Sequence, residues 1–449
     1  MIRLIFSDLR DNAMTWVGAF FVAVACGYIG GWAASLQTTA SFCAGDLFLY
    51  KNLQSTVSLV ISFSSIAGVA VLMSAANLTV LAQRRSYALW QLSNVRPLLV
   101  SAVVLAQLVV VAVLGALCGT LLAAVTFVPL FPLVFSARSA LAQVKPHVGV
   151  SLMPNVWLVV AAVFLCGGAR GARSAGKTPP LVVLREPEPQ HQGMTWFRAF
   201  LFAGLAVCTY WLATFMVESG PSVALNCSLY VPILVVATLV PVAPAIFSAL
   251  LAAWMSLVPK RWNAWYLARH TARYSLSAST SVETPIMVGF GLVAGLFSAV
   301  MCWVDYASRQ GVTDLNTLDS TTTLLMLGGP VLLCAIGAAV SVVMSSKSRS
   351  RDVALLTVAG VGPKTLLAAA VCEAFIHAVT GTMVGVVSVI ISNSIIAYAV
   401  GLPFPFADVV LGEGLVVSLV GFALVLVATL APTYSALKQE AAAVLAVRE

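Results

Sequence analysis

Apolar residues run through this chain in long unbroken stretches, separated by short polar and basic segments. Ten stretches reach the roughly 20 residues that a helix needs to cross a hydrocarbon core. They are 16–36, 57–81, 98–126, 150–168, 198–217, 229–256, 285–304, 322–345, 365–397 and 409–432. Strands of a membrane barrel alternate polar and apolar positions over about ten residues, and these stretches do not alternate. The pattern predicts an all-α integral membrane protein with ten transmembrane helices.

One part of the pattern occurs twice. Arg85–Gly119 aligns with Arg351–Gly385 at a constant offset of 266 residues, without a gap. The matched positions are Arg85/Arg351, Ala88-Leu89/Ala354-Leu355, Val95/Val361, Pro97/Pro363, Gly115/Gly381 and Gly119/Gly385. Each copy opens with a short basic segment between two apolar runs. In it Leu89, Leu92 and Val95, or Leu355, Val358 and Val361, recur at helical spacing. Asn94 and Gly360 hold equivalent positions, and both residue types tolerate the left-handed conformation that ends a helix. A proline follows three residues later in each copy. A short helix that stops abruptly before the chain re-enters the membrane is therefore expected twice.

The spans sort into two parallel four-helix repeats, spans 1–4 in residues 1–186 and spans 7–10 in 260–449, joined by a two-helix linker in 187–259. Four spans per repeat return the chain to the side it started from, so the repeats share one orientation. Similar tails close them, Val182-Val183-Leu184-Arg185-Glu186 and Leu445-Ala446-Val447-Arg448-Glu449. Duplicated docking helices suit a transport machine driven by a two-fold motor better than an enzyme with one pocket.

Composition agrees: 60% of residues are hydrophobic and 9% charged, against about 25% charged in a soluble domain. Charge then sets orientation. With the N-terminus inside, only Lys51, Arg138, Lys145 and Arg309 of the 24 Lys and Arg lie outside, which places both termini in the cytoplasm. The net charge of +8 is thus mostly topology, facing anionic lipid, and nucleic acid is not needed to explain it. No cleavable leader is expected, because the first apolar run lacks a small-residue cleavage site. Seven of the nine cysteines fall inside spans, while Cys43 and Cys227 fall in outer loops, where pairing stays open. No spacing suggests a metal site. The outer loops are too short to fold as domains of their own, so any substrate is handled within the membrane or at its outer surface.

Polar residues inside the spans are few. Glu373 and His377 lie one helical turn apart in span 9, with Gln107 at the position equivalent to Glu373. Such residues serve either as a coupling or proton-sensitive element or as a hydrogen bond between helices. Gly27/Gly31, Gly115/Gly119, Gly291/Gly295 and Gly381/Gly385 form pairs spaced by four, read as close helix contacts. Gly171 to Thr178 fits the phosphate-loop pattern G-x-x-x-x-G-K-T, but an apolar run precedes it and Pro179-Pro180 follows, so nucleotide binding is not expected there.

The pattern Arg-x-x-Ala-Leu…(Gly/Asn)-Val-x-Pro, followed by a long helix with Glu and Gly-x-x-x-Gly, resembles the FtsX-like permease domain of MacB-type, mechanotransmitting ABC transporters. The second copy is the fuller match, with Arg351, Ala354, Leu355, Gly360, Val361, Pro363, Glu373, Gly381 and Gly385. Leu267–Arg273 resembles the basic helix that usually leads into such a domain. Ten spans with two such domains are similar to bacitracin- and lantibiotic-resistance permeases, although this chain lacks their large outer domain.

The resemblance implies a permease subunit in a bacterial plasma membrane, without catalytic residues or a cofactor of its own. An ABC-type ATPase homodimer on the cytoplasmic side would hold ATP and Mg. It would dock on Arg84, Arg85, Tyr87, Leu89, Trp90 and Leu92 of one copy and on Arg351, Asp352, Val353, Leu355, Leu356 and Val358 of the other. The expected cargo is an amphiphile such as a peptide antibiotic, lipid or lipopeptide. A regulator of an extracellular cell-wall hydrolase and an ion-coupled secondary transporter stay open as alternatives.

Overall fold

The structure is a computed structural model, and it describes residues 7, 13–92, 95–135, 144–177, 196–257, 262–274, 276–311, 320–344, 346–402 and 408–438. Among these residues there is no β-strand. The helices are α1 (Ala13–Phe42), α2 (Leu47–Ala82), α3 (Arg84–Leu92), α4 (Pro97–Val134), α5 (Met153–Lys177), α6 (Trp196–Ser219) and α7 (Pro221–Cys227). They continue with α8 (Tyr230–Leu257), α9 (Asn263–Tyr274), α10 (Leu276–Arg309), α11 (Ser320–Met344), α12 (Ser346–Val358), α13 (Pro363–Val400) and α14 (Gly412–Lys438).

Nine helices among the described residues are long and apolar enough to cross a membrane. The eighth predicted span falls on α11, whose described apolar part is the shorter stretch Gly328–Ser341. Several helices outrun their apolar runs. Both α4 and α13 have 38 residues and start on a proline at the first helical position, where the missing N–H costs nothing and the fixed φ suits a helix.

The described residues group by contact into two compact units, Met1–Glu188 with Asp319–Met344, and Pro189–Leu318 with Ser345–Glu449. This grouping follows packing, whereas the division into 1–186, 187–259 and 260–449 follows sequence repetition.

In the first unit α1 and α4 touch through small residues. A Cβ at Gly27 would fall 2.5 Å from the carbonyl oxygen of Ala116, and one at Gly115 would fall 2.5 Å from Ala23 Cβ. Toward the end of α1 the contact becomes aromatic, with Trp32 edge-on to Phe127 at 4.9 Å and Phe131 tilted against Phe127 at 5.5 Å along the same stripe. The segment before α5 folds back onto α1, where the His147 and Gly149 N–H groups donate to Thr39 Oγ1 and Ser35 Oγ at 3.0 and 3.2 Å. Span α11 packs on α1 and α2, with Gly337 against Val71 and Gly329 against Ser64 and Ile29.

In the second unit α10 is the enclosed helix, buried almost without interruption from Thr280 to Leu296. It is flanked by α8, α13 and α14. The same device recurs. Gly381 sits against the Glu283 carbonyl and Ile286, Gly385 against Phe290, and Gly414 against Ala294 and Phe290. The amphipathic α9 lays Trp265, Ala268 and Ala272 on Cys372 and Ile376 of α13.

Candidate functional site

The two duplicated segments fold alike. Residue for residue at the 266 offset, α3 and α12 both end at matching positions, Leu92 and Val358. In each, the chain closes with a bond from an N–H to the carbonyl five residues back, Val95 to Trp90 and Val361 to Leu356, at 3.1 and 3.0 Å. A six-to-one bond of this kind is the Schellman closure, and it requires a left-handed residue just before the donor. Gly360 supplies it with φ +88°. Asn94, at the matching position, lies outside the described residues with Ser93. Two residues beyond each closure, Pro97 and Pro363 start the 38-residue helices, which end at the matching Val134 and Val400.

Burial repeats as well. Tyr87 and Ala88 are buried in α3, as are Val353 and Ala354 in α12. The Tyr87 hydroxyl donates to Gln83 Oε1 at 2.5 Å, and its ring meets Trp90 edge-on at 5.6 Å. Val353 packs with Leu366 of α13 and Ala436 of α14, with Leu356 and Val361 alongside. One turn away the apolar residues are uncovered. Leu89 and Leu92 are 51% and 54% exposed, and Leu355 and Val358 are 48% and 67% exposed. The stripe read from sequence therefore splits: its i, i+3 pair, Leu89/Leu92 or Leu355/Val358, faces outward while the adjacent pair Tyr87-Ala88 or Val353-Ala354 anchors each helix. Asp352 is exposed. The side chains of Arg84, Arg85 and Arg351 lie outside the described residues.

The left-handed cap yields a prediction. Gly360→Ala places a Cβ in a conformation that costs about 1–2 kcal/mol, so its thermal midpoint in detergent is expected to fall. Gly362→Ala, at φ −67° with open space around it, is the near-neutral control.

A second constellation lies along α13. Glu373 and His377 are both buried, and His377 Nε2 is 3.8 Å from Glu373 Oε1. The third member is Glu283 of α10, fully buried, with Oε1 3.0 Å from His377 Nδ1. The predicted span started at 285 and left Glu283 outside. In the structure Pro285 lies inside α10, as membrane helices allow. The Thr284 hydroxyl donates to the Thr280 carbonyl at 2.7 Å. Continuous apolarity from Ile286 onward and the hydroxyl-rich stretch before it were the available signal. Next to this cluster, Trp254 Nε1 of α8 donates to Thr380 Oγ1 at 3.1 Å. Gln107 is buried at the corresponding place on α4.

At the other end of α10, Asp408 approaches Cys302 and Asp305. Burial first, then Asp305, lifts the Asp408 carboxyl above its usual range, while Cys302 and Arg309 pull it back. Cys43 and Cys227 are both free thiols, and burial followed by Asp46 raises the Cys43 thiol. The Gly171–Lys177 stretch is helical as the end of α5 and so forms no phosphate loop, with Thr178 outside the described residues.

Residues 324–441 match the family model of the FtsX-like permease C-terminal domain. That segment holds α12, the Gly360 cap, α13 with Glu373 and His377, the Gly381/Gly385 pair and α14. This segment is therefore an FtsX-like permease C-terminal domain, a domain of membrane transport components. FtsX-like permeases generally work with ABC ATPase partners. No curated protein and no solved structure matches the chain.

Proposed function

We propose that this chain is the ten-span permease subunit of a MacB-type ABC transporter, with α3 and α12 as the two docking helices for an ATPase homodimer. One observation carries the reading: two helices closed by the same bond present the same uncovered apolar pair, Leu89/Leu92 and Leu355/Val358. Each is tied through a short capped turn to a 38-residue helix. A push on the docking helix therefore passes into α4 or α13 as rigid motion. The basic inner loops favour a cytoplasmic position for α3 and α12, where the partner binds ATP with Mg and hydrolyses the ATP. The ATP-driven movement of α4 and α13 extrudes an amphiphile, such as a peptide antibiotic, lipid or lipopeptide, from a bacterial plasma membrane.

The test is co-purification of the tagged chain in mild detergent, wild type beside the double variant Arg85→Glu/Arg351→Glu. An ABC-type ATPase that accompanies wild type and is lost from the variant is the expected result. Its absence from wild type sinks the reading. The buried Glu283–His377–Glu373 cluster favours an ion-coupled carrier as the second reading. Transport that persists without any ATPase would carry that one.

A further inference from the structure

We propose that Glu283, His377 and Glu373 form a proton-binding site, present in the second copy of the repeat alone, whose bound proton holds α10 against α13. The comparison between copies is internal to the chain. Gly381 meets the backbone of α10 at the Glu283 carbonyl, 3.0 Å from where its Cβ would lie, and Gly115 meets the backbone of α1 at the Phe20 carbonyl, also at 3.0 Å. Phe20 thus stands where Glu283 stands. At the 266 offset Gln107 replaces Glu373 and Val111 replaces His377. The first copy achieves the same glycine-mediated approach of two helices with no carboxylate or imidazole at the matching positions. Packing alone does not call for the cluster, and ionisable groups at membrane depth are costly to keep.

The geometry selects the proton as ligand. Both ring nitrogens of His377 face carboxylate oxygens, at 3.0 and 3.8 Å. An imidazolium presents an N–H to each, whereas the neutral ring has one N–H and one lone pair. Losing the proton turns the lone pair of one nitrogen toward a carboxylate. Glu283 Oε2 is buried without a hydrogen bond, and the charged group acting on Glu283 is His377. Those acting on His377 are the two glutamates.

Among the described residues, no other Lys, Arg, Asp, Glu or His is buried. From α9, Trp265, Ala268 and Ala272 face α13, with Arg269 half-buried and His270 exposed; the side chain of Arg273 lies outside the described residues. The buried residues of α14 are small, hydroxylic or aliphatic, and α8 contributes Trp254. Cys372 lies beside Glu373 on α13 itself. The buried residues of α6 and α7, Met216 and Ala224, carry no ionisable group. Because Gly381 and Gly385 hold α10 in contact at this level, the protonation state acts where the helices are closest. His377 lies about 21 Å along one continuous helix from Pro363, at 1.5 Å per residue, so a change there reaches the docking turn. The site does not depend on the identity of the motor.

The experiment uses the full chain in phosphatidylcholine nanodiscs. Thermal midpoints of wild type and Glu283→Gln are measured across pH. The removed carboxyl titrates in the unfolded chain at about pH 4, so the comparison is made above about pH 5.5, where linkage makes the gap vary with pH only if the histidine of the cluster exchanges its proton. The expected result is a gap widest in acid that closes as His377 gives up its second proton. A constant gap means a fixed hydrogen bond and overturns the proposal. Nitrogen NMR of histidine-labelled wild type is the second measurement, independent of how the variant folds. The chain has four histidines, and Glu373→Gln identifies the His377 signals by shifting them. Two protonated ring nitrogens giving way to one as pH rises is expected; a single neutral tautomer throughout overturns the proposal.

Discussion

Replacing both Leu89 and Leu355 by Asp is expected to abolish retention of an ABC-type ATPase, while each single variant retains a weakened complex. Both side chains are about half exposed at matching positions. A carboxylate there, pressed into an apolar pocket of a partner, is desolvated without a counter-charge, and central apolar contacts of this kind are worth about 2 kcal/mol or more each. That is roughly a 30-fold loss of affinity per site. Two sites engaged by one dimer act with high effective concentration, so the first loss is partly hidden and the second is not. The fold should survive, because the anchoring residues are Tyr87 and Ala88, or Val353 and Ala354, and not the leucines. The readout is the ATPase-to-permease ratio after affinity purification, with the thermal midpoint as control. Undiminished ATPase on the double variant would falsify docking through these faces. A single variant as damaging as the double would show that the two helices are not equivalent docking points.

The residues that made this surface legible from sequence were the punctuating ones. Gly360, Pro97 and Pro363 fix where a helix must end and the next begin, and the structure closes both turns with the same bond. What the sequence could not separate was the buried face of a nine-residue helix from its exposed face. Tyr87 and Leu89 are both apolar enough for either, and only the position of α4 and α5 against α3 decides. Glu283 was hidden for a different reason. Hydropathy places the start of a span at the first sustained apolar run, but Ser and Thr hydroxyls can carry a helix through a polar stretch, and α10 runs on from Leu276. The packing of α11 on α1 and α2 was also beyond reach, since an apolar helix fits many neighbours and its glycines reveal their partners only in three dimensions.

Gly119→Ala is expected to be the most damaging single-methyl change in the chain. A Cβ at Gly119 would collide with the carbonyl oxygen of Val24, fall 2.6 Å from the Tyr28 nitrogen and 2.9 Å from the Gly27 carbonyl carbon. Every one of these atoms is backbone of α1, and a helix cannot yield locally without breaking its own hydrogen bonds. The two helices must part along their length, giving up the close packing that drives helix association where lipid removes the hydrophobic incentive. Gly385→Ala is the matched control at the 266 offset. There the atoms nearest the Cβ are all side-chain atoms of Phe290, Cδ1 at 2.7 Å and Cβ and Cγ at 3.0 Å, and a side chain gives way more readily than a helix backbone. Overpacking typically costs about 1–3 kcal/mol, with Gly119→Ala at or above the upper end and Gly385→Ala near the lower. Thermal midpoints and the monodisperse fraction in size-exclusion chromatography should therefore fall much further for Gly119→Ala. Equal losses at the two positions would mean that the α1–α4 contact is no stiffer than its counterpart. A harmless Gly119→Ala would mean that the close approach itself is wrong.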